Sequence, residues 1–410
     1  MITTFDDFIG NIKIQEISYE EFCSKLSILD ISDKTGQFSV RSDLLTFLNR
    51  VVKKPTDTRL IRLELYQKNL YNMLVVDARN SLQAWFTKYV EMKMDINDYL
   101  ALPEGNCIDK GIFIGNKNSK YGRLNKNINF NDFYNTKKLY NNDSEYVFGL
   151  LKTMYENFHI RNSLAGPAFF DHICTMTSYN QIWTDFMMGA NKASVFNPYT
   201  YKSILDIVFK GDTLFAPVMG WNSYQQAFYS SRFKHFISTD VISNVYNNGL
   251  KLHNQYQSNL SFLDDEKTVD LYLCPSEQLD SKFDFIKKYE NKVDAVLFSP
   301  PYFDLELYTG ENQSVTNFPK YEDWLDGYWR ETIKLCKSVM KPNAKFGFVI
   351  SNYRNHDKID NTISQDMKAI VDEELKFVKH YQIQWNTISS SRQAHKHRKG
   401  NYEDLWIFEK

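Results

Sequence analysis

The chain has 410 residues, 43% of them apolar and 24% charged, with a formal net charge of −1. That length allows two or three domains with sizeable cores. The near-zero charge argues against a uniformly basic nucleic-acid binder and leaves room for a local basic groove. No apolar run approaches the roughly 20 residues of a membrane span. The N-terminus, M-I-T-T-F-D-D-F-I, lacks the basic-then-apolar pattern of a signal peptide. The five cysteines are scattered without a C-x-x-C pair, so neither a metal site nor a disulfide framework is expected. Together these features predict an intracellular, cytoplasmic protein with no membrane partner. The wealth of Asn, Lys, Tyr and Phe and the scarcity of Gly and Pro fit an AT-rich viral or bacterial genome.

In chain order, residues 1–190 read as a mainly helical N-terminal region. R41-S-D-L-L-T-F-L-N-R-V-V52 and L60-I-R-L-E-L-Y-Q-K-N-L-Y-N-M-L74 carry apolar residues at helical spacing, and Ser42-Asp43 can cap the first. Residues 105–145 change character, with Lys110, Lys117, Lys120, Arg123 and Lys126 interleaved with Phe113, Tyr121 and Phe130. That mixture can contact phosphates and bases. From residue 191 to the end, short apolar strands alternate with helices. They begin at Thr213, His235, Val269, Val293, Lys345 and Asp404. This rhythm predicts an α/β domain with a mostly parallel sheet, and ligands at the carboxyl ends of its strands.

At one such end the run V296-L-F298 breaks into Ser299-Pro300-Pro301-Tyr302. Each proline fixes its own φ and restricts the residue before it, so the carbonyls are rigidly aimed. A Ser hydroxyl, the Pro300 carbonyl and a Tyr face suit a flat heterocycle bearing an exocyclic amine. Acceptors placed on the amine hydrogens favour its pyramidal, nucleophilic form. The bland alternative is a strand-ending turn.

The segment 196–410 resembles the S-adenosylmethionine-dependent amino-methyltransferases, which methylate cytosine N4 or adenine N6 and carry an (Asp/Asn/Ser)-Pro-Pro-(Tyr/Phe) motif. The resemblance implies a Rossmann-like methyltransferase domain with a seven-stranded sheet over residues 191–410. It makes Ser299, Pro300, Pro301 and Tyr302 the catalytic corner, and S-adenosylmethionine the cofactor. T213-L-F-A-P-V-M-G-W-N222 is similar to the family's D-P-F-x-G-x-G loop, placing Ala216, Pro217, Gly220 and Trp221 at the cofactor. Ala216 stands where Asp is usual, and Asn222 replaces the second Gly, although Asn tolerates positive φ. Asp240 is expected at the ribose hydroxyls or as a helix cap. Ser276 and Glu277 are expected at the cofactor adenine or as a helix start. Asn197 and Pro198 are expected beside the methionine moiety or as a capped helix start. The loop F303-D-L-E-L-Y-T-G-E-N-Q-S314 is expected to close over the base, and the aromatics of 321–340 to pack. Arg392, Lys396, Arg398 and Lys399 form a basic loop that the resemblance sets near the DNA backbone, with Lys117, Lys120 and Arg123 as further phosphate contacts. The expected function is site-specific methylation of a base amine in double-stranded DNA, or in RNA, with the cytosine type favoured. The N-terminal region would then supply target recognition or partner binding. The alternative is a catalytically weakened subunit that binds nucleic acid or a partner.

Overall fold

The computed structural model describes residues 2–30, 39–42, 56–138, 147–161, 167–175, 193–259, 266–353, 362–385 and 402–410. It divides into two compact units. One joins 92–133 to 194–410, and the other joins 2–91 to 134–193. Residues 92–133 thus belong with the sheet-bearing part of the chain, although they precede residue 190.

The first unit is built on a nine-stranded sheet. Its strands are β1 (Ile108–Asp109), β2 (Ile112–Ile114), β3 (Thr213–Ala216), β4 (His235–Asp240), β5 (Thr268–Leu273), β6 (Val293–Phe298), β7 (Met340–Ile350), β8 (Lys376–Gln384) and β9 (Tyr402–Glu409). Their order is β1-β2-β8-β9-β7-β6-β3-β4-β5. Seven strands come from residues after 191. The other two are a hairpin added at the β8 edge, pairing Ile383 with Phe113. β3 through β7 run parallel to one another, and β9 is antiparallel to both β7 and β8.

Burial explains why β6 lies in the interior of the sheet. Val293, Ala295, Val296, Leu297 and Phe298 are all buried. A continuous apolar run is what a strand covered on both faces needs, and each large side chain so buried is worth roughly 1.5–3 kcal/mol. Covering helices include α1 (Pro198–Val208), α2 (Ser223–Tyr229), α3 (Ser243–Ser258), α4 (Glu331–Val339) and α5 (Ile363–Glu374). α1 starts where Asn197 caps the Tyr199 amide at 3.0 Å with Pro198 in the first turn. α5 buries Ile363, Met367, Ile370 and Val371, an apolar stripe at helical spacing.

Strand order runs outward in both directions from the β3–β6 pair, where Ala295 aligns with Leu214 and Val296 with Phe215. This is the switch point at which doubly wound sheets bind ligands. The 216–222 turn and the 299–302 corner therefore leave neighbouring strands at the same end of the sheet.

The second unit contains the helix Thr56–Tyr71, as the apolar spacing of 60–74 predicts, continuing into a π-helical turn at Asn72–Val76. It also has a three-stranded sheet of Ser39–Ser42, Ser27–Asp30 and His159–Arg161. Ser42 is the last residue of a strand, and the helix that Ser42-Asp43 is expected to cap falls on residues 43–52, which lie outside the described residues. Among the described residues no helix is long and apolar enough to cross a membrane.

Candidate active site at the sheet switch point

A cavity of about 380 Å³ opens at the carboxyl ends of β3 and β6. Its lining brings together Pro217, Gly220, Trp221, Asp240, Ser276, Glu277 and all four residues of the Ser299–Tyr302 corner. Ala216, Asn197 and Pro198 are not in the lining. Ala216 is buried and its carbonyl accepts from Ser238 Oγ at 2.7 Å. Asn197 spends its side chain on the α1 cap and on the Lys117 carbonyl, 2.7 Å away. That segment is a capped helix start, and Ser194, Val195 and Phe196 line the cavity instead.

The corner is fixed from behind. Ser299 N donates to Tyr224 Oη at 3.0 Å, and Tyr201 Oη donates to the Leu297 carbonyl at 2.6 Å. The rings of Tyr201 and Tyr224 stack with centroids 4.4 Å apart. Tyr302 is held by its hydroxyl, which accepts from Ser351 N at 3.0 Å just past the end of β7. Its ring can therefore present a fixed face. The following loop is knit to itself. Gln313 Nε2 donates to the Tyr308 carbonyl at 2.6 Å, while its Oε1 accepts from Tyr308 N at 2.8 Å. Glu306, Tyr308 and Gln313 all line the cavity, and Tyr308 Oη donates to Glu306 at 2.6 Å.

The 216–222 turn is more unusual. Gly220, Trp221 and Asn222 all have positive φ, at 52°, 59° and 63°. For a side-chain-bearing residue this conformation costs roughly 1–2 kcal/mol, so something must hold it. Asn129, from the 92–133 segment, donates to the Trp221 carbonyl and to Asn222 Oδ1, both at 3.1 Å. Asn222 in turn donates to the Val245 carbonyl at 3.0 Å, and Asn248 donates to Asn129 Oδ1 at 3.1 Å. Trp221 packs edge-on against Phe133 and Tyr308. Gly220 admits no side chain, because a Cβ there would lie 2.5 Å from the Tyr224 ring. The turn thus rests directly on the tyrosine that holds Ser299.

Asp240, at the end of β4, accepts from Ile242 N at 3.0 Å and Met219 N at 3.3 Å. Burial raises its carboxyl to about 6, against the pull of those amides. Burial likewise raises Glu277. Ser276 shares a buried hydrogen bond of 2.8 Å with Thr332 on α4. Among the described residues the lining carries four carboxylates, Asp240, Glu277, Glu306 and Glu403, and no Lys, Arg or His. That field favours a ligand with a positive centre.

Sequence reading does not single out Tyr224, Asn129, Tyr328, Trp385 or Glu403. Trp385 lies against Gly115, where a Cβ would fall 2.6 Å from the indole. Glu403 projects from the start of β9 at the cavity end of the sheet. Lys117 and Lys120 are exposed and Arg123 is half-buried, in the stretch that follows the cavity-lining Asn116. Arg392, Lys396, Arg398 and Lys399 lie outside the described residues.

No family model and no curated protein matches the chain. Among solved structures it is similar to TrmN from Thermus thermophilus, at 12% identity over 52% of this chain and 48% of that one, with a TM-score of 0.32. The N-methyltransferase NodS from Bradyrhizobium japonicum WM9, in complex with S-adenosyl-L-homocysteine, is similar at 12% identity over 48% of this chain and 77% of that one, with a TM-score of 0.29. A protein assigned as a DNA modification methylase, also from Thermus thermophilus, is similar at 15% identity over 33% of this chain and 50% of that one, with a TM-score of 0.24. This chain spans about half the length of TrmN.

Proposed function

We propose that the protein is an S-adenosylmethionine-dependent methyltransferase acting on the exocyclic amine of a base flipped out of DNA, with cytosine N4 favoured over adenine N6. The observation that carries this reading is that the Ser299–Tyr302 corner and the Gly220, Asp240 and Glu277 positions, far apart in sequence, line one cavity at the switch point. The cofactor fits that lining on two counts. Acceptors on Asp240 and Glu277 suit a nucleoside's hydroxyls and amine. A lining with four carboxylates and, among the described residues, no cationic side chain suits a sulfonium.

When bound, the cofactor supplies an electrophilic methyl group on sulfur. The chain's residues hold the acceptor for it. Ser299 Oγ and the Pro300 carbonyl take the two amine hydrogens, which turns the nitrogen lone pair out of the ring's π system. Tyr302, pinned through Ser351, stacks on the ring and fixes the attack angle. Held so, the amine nitrogen would accept the methyl group as its bond to sulfur is given up, and the amine proton would leave to solvent. A flipped base is required, because the amine lies inside the duplex stack. Lys117, Lys120 and Arg123, with Arg392, Lys396, Arg398 and Lys399, would neutralise phosphates outside the cavity.

Incubation of duplex DNA with a methyl-labelled cofactor tests this reading. Label is expected in DNA with the native chain and at background with Ser299→Ala. A chain that binds the cofactor yet labels no DNA would contradict it.

A further inference from the structure

The four carboxylates of the cavity lining do not stand on one side of it. Asp240 ends β4 and Glu277 follows β5, both beyond β3. Glu306 belongs to the loop after the corner, where it accepts from Tyr308 Oη. Glu403 comes from the start of β9, across the sheet. The corner-bearing strand β6 has β4 two strands away on one side and β9 two strands away on the other. Four strand spacings, or about 19 Å, therefore separate the backbones of β4 and β9, with β6 midway. Strand register brings Glu403 to the corner. It pairs Ile350 with Asp404, and carried one residue on it sets Ser351 opposite Glu403. Ser351 N is the donor that holds Tyr302 Oη. Glu403 is buried, and its charge is felt at Tyr224, the acceptor for Ser299 N. Burial raises the Tyr224 phenol, the Ser299 amide opposes this, and Glu403 adds to it ahead of Tyr302 and Asp240.

Methyl transfer from a sulfonium to a neutral amine moves a positive charge. The amine nitrogen gives its lone pair to the methyl carbon, and the electrons of the old bond stay on sulfur. Positive charge thus passes from sulfur to nitrogen, until a proton leaves to water. A carboxylate near the sulfonium stabilises the ground state and opposes that movement. One near the amine gains strength as the charge arrives, so it lowers the barrier. We infer that Glu403 serves the amine side, its carboxylate stabilising the positive charge that develops on the base. Asp240 and Glu277, across β6, then serve the binding of the donor. This inference rests on the methyl-transfer reading above and adds to it a residue that lies outside the Ser299–Tyr302 corner and outside the cofactor turn.

Two measurements on the full chain test this. The first needs no nucleic acid and compares calorimetric affinities for S-adenosylmethionine and S-adenosylhomocysteine, which differ by the sulfonium charge. Glu403→Gln keeps the side-chain shape and removes the charge, and it should leave the ratio of the two affinities within about twofold of native. Asp240→Asn should lower that ratio. The second is the single-turnover rate of methyl transfer to duplex DNA. Glu403→Gln should slow it by about 100-fold while melting as the native chain does. Glu403→Asp, which keeps the charge, should stay within about tenfold of the native rate. A native transfer rate in Glu403→Gln, an affinity ratio that falls as far as in Asp240→Asn, or equal losses of rate in the Gln and Asp variants would overturn the inference and leave the methyl-transfer reading standing. A Glu403→Gln chain that no longer folds would also overturn it, by making the carboxylate structural. Failure of the native chain to label any DNA would overturn both.

Discussion

The two turns that meet at the switch point are made rigid in opposite ways. The Ser299–Tyr302 corner carries its stiffness in the chain itself, because two prolines set the backbone before anything packs on it. The Gly220–Asn222 turn carries almost none. It holds three successive left-handed residues, two of them with side chains, and depends on Asn129 and Asn248 for its shape. A corner built from proline has its carbonyl directions set before any ligand arrives. A turn held by borrowed hydrogen bonds can shape itself around a larger ligand, but it fails if a distant residue changes. Tyr224 joins the two, packing under Gly220 and accepting from Ser299 N.

The sharpest separation should come from substitutions confined to the corner. Ser299→Ala and Tyr302→Ala should each lower methyl transfer by about 100-fold or more, while calorimetric affinity for S-adenosylhomocysteine changes by less than about threefold. Loss of cofactor affinity in step with activity would break the comparison. Next in size is Asn129→Ala, which deletes a 1%-exposed side chain holding the turn and lying in neither motif. A destabilisation of about 2–4 kcal/mol is expected from thermal or urea unfolding. Cofactor affinity should fall with it, while Ser299 and Tyr302 are untouched. Gly220→Ala should act on both turns at once, because its Cβ must displace the Tyr224 ring and its backbone sits at φ 52°. A loss of about tenfold in both cofactor affinity and single-turnover rate is the expected reading. An effect on binding alone would show that Tyr224 does not couple the turns.

The smallest effect concerns charge. Burial raises Asp240 to about 6 from an ordinary 3.8, so the native chain holds this proton more tightly than the unfolded chain. The ionised carboxylate therefore costs stability above about pH 6, and the cost is relieved as pH falls through 6 toward 4. Protonation also removes a negative charge from the cavity. The affinity advantage of S-adenosylmethionine over its neutral thioether product should thus shrink a few-fold between about pH 7.5 and 5.5. A ratio independent of pH would remove Asp240 from the sulfonium's field.

The sequence makes some of this legible and hides the rest for identifiable reasons. The corner can be read because two prolines end a strand only where the backbone is meant to turn, and the β6 run V-D-A-V-L-F announces a strand buried on both faces. β8 is not distinguished, since Phe377 and Val378 are exposed and only Ile383 is deeply buried, which blurs its alternation. The β1–β2 hairpin is too short for a periodic signal. Asn222 fits the positive φ that its place in the glycine loop demands, as its residue type suggests. That Trp221 shares that conformation has no local cue, because the cause lies at Asn129, 92 residues upstream. Tyr328 sits among Trp324, Trp329 and Ile333, and an aromatic stripe at helical spacing reads as core. Only in three dimensions does it differ, as a buried hydroxyl without a hydrogen-bond partner among the described residues. The reach of the sheet-bearing unit back to residue 92 is equally hidden, since segments joined through space share no composition.

The central claim is that the Ser299–Tyr302 corner presents a base amine to a methyl donor. Nucleoside mass spectrometry of DNA from cells expressing the full chain tests it most directly, beside cells expressing Tyr302→Ala. The account predicts N4-methylcytosine in the first sample and its absence in the second. DNA free of any methylated amine in both samples, from a chain that binds S-adenosylhomocysteine in the calorimeter, would contradict it.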